Sequence, residues 1–215
     1  MAYDFNGTSQ YLNTASAPVT AAPLTLACWF YPNNVTATMA LMSVTDNAEV
    51  NNNRFSLFAA GNSGGDPVEV VAQTPLAFSV AATTTGYTAN SWNHACGVFT
   101  STSSRTSYLN GGSAATSTVT VAPSGVDRVR VAARFNGGNA GLYLSGRLAE
   151  IGIWNAALTA AEVAALADGM TCDKVRPQSL VFYAALVRNL QDVKGGLTIT
   201  NNNTATVTNH TRVYA

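Results

Sequence analysis

Acid–base chemistry in this chain rests on eleven acidic side chains and two histidines, His94 and His210. Proton transfer and metal binding both need several such groups brought together, since a lone carboxylate or imidazole does neither. The densest local set is Asp46, Glu49 and Asn51 to Asn53, an oxygen-rich stretch whose donors suit calcium. Calcium takes about six to eight oxygens, usually with two or more carboxylates. Asp66 or Asp127 would have to complete the set, and the alternative is a solvated polar loop. Asn136-Gly137-Gly138-Asn139, with Tyr143 nearby, carries amide and phenol groups able to hydrogen-bond sugar hydroxyls; the same residues also make an ordinary turn. No nucleophile elbow, metalloprotease helix or phosphate loop is present. Cys28, Cys96 and Cys172 are odd in number and far apart, so they form neither a metal knuckle nor a disulfide framework. Cys28 and Cys96 lie in apolar runs where a buried thiol is the ordinary state, with a bridge between them the open alternative.

The elements that must position these groups are mostly strands. Leu148 to Trp154 alternates Leu148, Glu150, Gly152 and Trp154 on one side with Ala149, Ile151 and Ile153 on the other. Helical spacing follows, with Leu158, Val163 and Leu166 on one stripe. Thr159 and Glu162 form a capping box, and Gly169 supplies the stop, which predicts one short helix near 159–168. Leu24 to Tyr31 reads as a central strand closed by Pro32, and Trp92 to Thr100 alternates cleanly. In that second strand Trp92 and His94 share a face. Trp29 and Trp154 lie in the most apolar runs, and core packing is their expected role. Asn110-Gly111 marks a tight hairpin. Many short strands at regular spacing, with Gly, Asn and Pro turns, predict an all-β sandwich of two antiparallel sheets. With no long linker and no internal repeat, residues 1–215 are expected to form one domain.

Composition narrows the partners. Charged residues make up 10% of the chain, against about 25% in an average globular protein, and Thr, Ser and Asn replace them. The formal net charge is zero, so nothing steers the chain toward nucleic acid or an anionic bilayer. No apolar run approaches the ~18 residues that span a membrane, and the first residues have no secretory leader pattern. Synthesis in a cytoplasm, with release by a route other than secretion, is the expectation.

An ordered set of signatures then identifies a relative. It comprises Phe5-Asn6-Gly7 with Tyr11-Leu12, Leu24 to Phe30, Trp92-Asn93-His94 with Tyr108 to Gly111, and Gly146 to Leu166. Together these resemble the laminin-G-like members of the concanavalin A-like lectin/glucanase superfamily. The resemblance implies a jelly-roll sandwich, a Trp-x-His pair that serves the core, and a rim where calcium often binds through carboxylates and carbonyls. Retaining glucanases of that superfamily carry Glu-x-Asp-x-x-Glu on one strand. Here Glu150 takes the first position but Gly152 the second, with Trp154 and Asn155 following. One carboxylate cannot act as both nucleophile and acid, so no enzyme is expected. The segment 179–215 is similar, more loosely, to the C-terminal part of such domains in tailed-phage proteins, packing back on the sandwich. That likeness implies a structural or adhesive protein of a virion surface, as a capsid decoration or fibre module. Its expected partners are capsid or tail proteins, host surface glycans and further copies of itself, with no nucleic acid and no membrane insertion. A calcium-assisted lectin is the alternative.

Overall fold

A computed structural model describes residues 1–47, 52–187 and 189–210. Alternating apolar residues, interrupted by Asn- and Gly-rich turns, fold them mainly into strands. In order these are β1 (Ala2–Asn6), β2 (Tyr11–Thr14), β3 (Leu24–Pro32), β4 (Thr38–Thr45), β5 (Arg54–Ala60) and β6 (Pro67–Gln73). There follow β7 (Phe78–Gly86), β8 (Asn93–Ser101), β9 (Ser104–Leu109), β10 (Gly112–Ser117) and β11 (Arg128–Val131). The short β12 (Arg134–Asn136) and β13 (Asn139–Gly141) lead into the long β14 (Ser145–Trp154). Helix α1 (Ala160–Ala167) and a 3-10 turn at Cys172–Lys174 precede β15 (Leu180–Ala184), β16 (Ile199–Asn202) and β17 (Thr206–Thr208).

Two antiparallel sheets stack face to face. The larger runs β10-β9-β8-β3-β14-β1-β17 with β15 also pairing β14, and the smaller runs β16-β2-β11-β4-β5-β6-β7. The C-terminal strands join both sheets, β16 beside β2 and β17 beside β1. Between the sheets lies the main core, which includes Phe5, Leu26, Phe30, Leu57, Val70 and Phe99. A smaller core lies on the outer face of the larger sheet, where Trp154, Val163, Leu166, Val98 and Tyr183 pack α1 against the strands. Among the described residues no helix is long and apolar enough to cross a membrane.

Helix α1 starts where its cap dictates. The Thr159 amide donates to Glu162 Oε2 at 2.7 Å, and the Glu162 amide donates back to Thr159 Oγ1 at 3.3 Å. Arg176 then clamps the same carboxylate at 2.7 Å. At the other end Gly169 adopts φ 102°, the left-handed stop expected of glycine.

Strand β14 departs from simple alternation. Its register with β3 runs Ala149↔Trp29 and then Gly152↔Ala27, so Glu150 and Ile151 together oppose Cys28. Glu150 holds φ 51° at this bulge. The extra residue shifts the phase, so Leu148, Ile151 and Ile153 all reach the main core. Gly152 and Trp154 face outward under the helix. The period-two expectation that grouped Leu148 with Glu150, Gly152 and Trp154 therefore fails at Glu150.

The cysteines are free thiols, all buried. Cys28 pairs in register with Ala95, and Ala27 with Cys96, so the two thiols sit on consecutive positions of facing strands. Cys28 points into the main core and Cys96 into the outer one. Opposite faces of one sheet cannot be bridged, and this closes the alternative the sequence leaves open.

Candidate functional site

Glu150 is 4% exposed and sits under the 3-10 turn rather than in a cleft. The Tyr183 hydroxyl donates to its Oε2 at 2.6 Å. Burial pushes its pKa up to about 7, with the Tyr183 hydrogen bond pulling the other way and Asp173 reinforcing the rise. Nearby, Cys172 donates to the Glu150 carbonyl at 3.5 Å. At Gly152, a Cβ would stand 2.5 Å from the Trp154 ring and 2.8 Å from Cys172 Sγ. The position a second carboxylate would need is thus filled by an indole and a thiol. Gly152→Ala is expected to cost about 1–3 kcal/mol through overpacking, measured as a lowered urea midpoint at unchanged m-value.

Both histidines pack against indoles. His94 is 2% exposed, and its ring stands edge-on to Trp29 with centroids 5.3 Å apart. Burial lowers its pKa to about 3 and leaves its Nδ1 without a hydrogen bond. Such an imidazole stays neutral near neutral pH and serves packing. His210 packs edge-on against Trp92 at 5.1 Å, and burial lowers its pKa to about 4.

The two loop regions read from sequence meet at one rim of the smaller sheet. Asp46 follows β4, and its Oδ2 accepts from the Asn53 amide at 3.1 Å and from Asn53 Nδ2 at 3.4 Å. Asn53 Oδ1 in turn accepts from the Ser124 amide at 3.3 Å. The next residue, Arg54, donates through Nη1 to the Phe135 carbonyl at 3.0 Å, tying this loop to the β12–β13 hairpin. Gln73 orients that guanidinium, accepting from Nε at 3.1 Å. The Phe135 ring lies 3.8 Å from the Arg130 guanidinium carbon and edge-on to Tyr11 at 5.0 Å. Phe135 and Arg54 therefore brace the hairpin; nothing in their spacing along the chain signals it.

At the hairpin tip Asn136 pairs with Asn139, and both are exposed. Asn139 Nδ2 donates weakly to the Gly137 carbonyl at 3.4 Å, while among the described residues Asn136 makes no side-chain hydrogen bond. Tyr143 follows the hairpin and is half-buried. Glu49 and Asn51 lie outside the described residues. Asp127 hydrogen-bonds through its amide to the Thr45 carbonyl at 2.9 Å, so its backbone is at this rim, but its carboxylate pairs with Arg128 at 3.3 Å. Asp66 begins the turn into β6 at the end opposite Gln73 and does not join. Among the described residues no group of three His, Cys, Asp or Glu side chains converges. Asp46 alone offers one carboxylate where calcium usually takes two or more, so the described donors do not by themselves form a calcium site.

Two antiparallel sheets packed face to face, with one short helix on the outer face of the larger, form a concanavalin A-like sandwich. Residues 6–164 match the sequence profile of the concanavalin A-like lectin/glucanase superfamily in its laminin G-like form, and the chain belongs to that family. No curated protein matches it. Among solved structures it is similar to a native heptameric SAP-like pentraxin from Limulus polyphemus, at 17% identity, TM-score 0.62 and 94% coverage of each chain. Domain 4 of the extracellular arabinanase AbnA from Geobacillus stearothermophilus, solved with arabinotriose, has 16% identity and TM-score 0.61, covering 77% of this chain and 76% of that one. The CBM40 of Ruminococcus gnavus IT-sialidase, bound to α2,3 sialyllactose, has 13% identity and TM-score 0.59, covering 78% of this chain and 98% of that one.

Proposed function

We propose that this domain is a non-catalytic carbohydrate-binding module that holds glycans at the rim carrying the β12–β13 hairpin. The observation that carries this reading is the bracing of that hairpin by Arg54 and Phe135, which presents Asn136 and Asn139 outward on a fixed frame. Pre-organised amides are what a sugar's paired hydroxyls need, because little ordering remains to be done on binding. Carbohydrate-bound relatives of the same fold, one with arabinotriose and one with sialyllactose, support the class of ligand. The buried, isolated Glu150 supports binding without hydrolysis.

A glycan array probed with the purified chain, once with calcium and once with chelator, tests this. Binding in at least one condition is expected, and the Asn136→Ala/Asn139→Ala double variant should weaken it about tenfold or more. Silence of the array in both conditions overturns the reading. A difference between the two conditions would show that calcium takes part, with Asp46, Glu49 and Asn51 its proposed donors. The setting proposed for such binding is a virion surface, where the module would attach particles to host glycans. Purified particles should then contain it in stoichiometric amount.

A further inference from the structure

Asn-Gly pairs occur in the chain at Asn6-Gly7, Asn110-Gly111 and Asn136-Gly137, preceded by the large apolar residues Phe5, Leu109 and Phe135. Each asparagine is exposed, and each glycine has a positive φ, at 74°, 76° and 57° in that order. Local sequence and backbone therefore do not tell the pairs apart. Their surroundings do.

Asn6 is locked on every side. Its Oδ1 accepts the Thr8 and Ser9 amides, both at 3.0 Å, and its Nδ2 donates to Ser9 Oγ at 3.1 Å. The Gly7 amide donates to the Leu144 carbonyl at 2.9 Å, and a Cβ on Gly7 would stand 2.8 Å from that of Ser145. Asn110 is held by the neighbouring strand β8, where its Oδ1 accepts the His94 amide at 2.8 Å. Gly111 beside it lies against α1, and a Cβ there would meet Ala164 Cα at 3.1 Å. Asn136 has none of these restraints. Among the described residues neither its side chain nor the Gly137 amide makes a hydrogen bond. A Cβ built on Gly137 or Gly138 would meet nothing within 4 Å, so the tip is open.

We infer that Asn136 is a site of spontaneous modification, at which the Gly137 nitrogen turns the side-chain amide into a carboxylate. That nitrogen attacks Asn136 Cγ and gives up its proton to water. The new Cγ–N bond forms, the Cγ–Nδ2 bond breaks, and Nδ2 leaves as ammonia, taking a proton back from water. A second water opens the cyclic imide at either carbonyl, leaving aspartate or isoaspartate, and nothing is oxidised or reduced. Ring closure requires the side chain to swing onto the next amide. At Asn6 and Asn110 that swing first breaks hydrogen bonds, so those pairs react only when their turns open. At Asn136 it breaks none. The rim then presents a carboxylate, which only accepts, in place of an amide, which also donates. The chain gains a negative charge on a formal net charge of zero. Isoaspartate also adds a methylene to the backbone of a hairpin whose register pairs Asn136 with Asn139.

Incubation of the folded chain at mildly alkaline pH, followed by tryptic mass spectrometry, tests this without any ligand and so apart from the rim's proposed function. The mass gain of an NH2-to-OH exchange should accumulate in peptide 135–147 about tenfold or more faster than at Asn6 in 1–54 or at Asn110 in 106–128. Asn136→Gln should abolish that gain, which assigns it to Asn136 and not to Asn139. In urea, with every turn open, the rates at Asn6, Asn110 and Asn136 should converge to within about threefold. Comparable rates in the folded chain overturn the inference. A lead for Asn136 that persists unchanged in urea overturns it as well, because the difference would then come from local sequence and not from the fold. So does a gain in 135–147 that survives Asn136→Gln.

Discussion

Truncating Trp154 to alanine is expected to lower the unfolding free energy by about 3–5 kcal/mol. The indole is completely buried and sits at the centre of the outer core, against Leu158, Val163, Leu166 and Cys172. Its Nε1–H donates to the Val175 carbonyl at 2.8 Å, so truncation also leaves a buried acceptor unmatched. Helix α1 has only eight residues, too few to persist without tertiary contacts. Its docking rests on this indole and on Val163 and Leu166, the helix's own buried residues. Equilibrium unfolding in urea, with helical circular dichroism as a second probe, measures the effect. A loss below about 1 kcal/mol would mean that the helix is held by something else, for instance the Glu162–Arg176 pair.

The second large effect concerns pH. Folding raises the Glu150 pKa from 4.5 to about 7, chiefly by burial. A carboxylate with a raised folded pKa adds stability that is fully present below pH 4.5 and lost as pH climbs through 7. The difference amounts to about 3 kcal/mol by pH 8. Glu150→Gln keeps the shape and an acceptor for Tyr183 while removing the buried charge. It should match the parent near pH 4 and exceed it by about 2–3 kcal/mol at pH 8.

His94 works in the opposite sense. Its folded pKa is lowered from 6.5 to about 3, so its neutral form adds stability that is lost as pH falls from 6.5 toward 3. His210, lowered from 6.5 to about 4, acts in the same direction. Between pH 4.5 and 6.5 the folded state holds one proton more than the unfolded state at Glu150 and one fewer at His94, so these two contributions to the slope cancel. Glu150→Gln should uncover the His94 contribution, steepening the rise of stability with pH in that window by about 1.4 kcal/mol per pH unit. Denaturant titrations across pH 4 to 8 on both proteins check this. Parallel profiles would show that Glu150 is not buried as described.

These two sites bear on function because they show what β14 holds where a retaining glucanase strand carries its carboxylates. Glu150 is sequestered with Tyr183 beneath the 3-10 turn, and Gly152 is pinned beneath Trp154 and Cys172. The outer face of this part of the strand is covered by α1 and the 3-10 turn.

Much of this was decided by local pattern. Period-two alternation in β3 and β8, the Asn110-Gly111 turn and the Thr159–Glu162 capping box each depend on residues near one another in the chain. The all-β sandwich and its capped helix follow from them. Tertiary structure decided what depends on partners far away in sequence. The bulge that gives Glu150 its φ of 51° reverses the faces of Gly152 and Trp154, and no spacing within β14 announces it. Cys28 and Cys96 cannot be seen to face opposite ways until β3 and β8 are in register. The contact of Arg54 with the Phe135 carbonyl spans 81 positions, so the meeting of the Asp46 loop with the Asn136–Asn139 hairpin exists only once the sheet has formed. Local rules choose the elements, because propensity and turn chemistry act over a few residues. Register and packing choose the sites, because only they bring distant polar groups to one place.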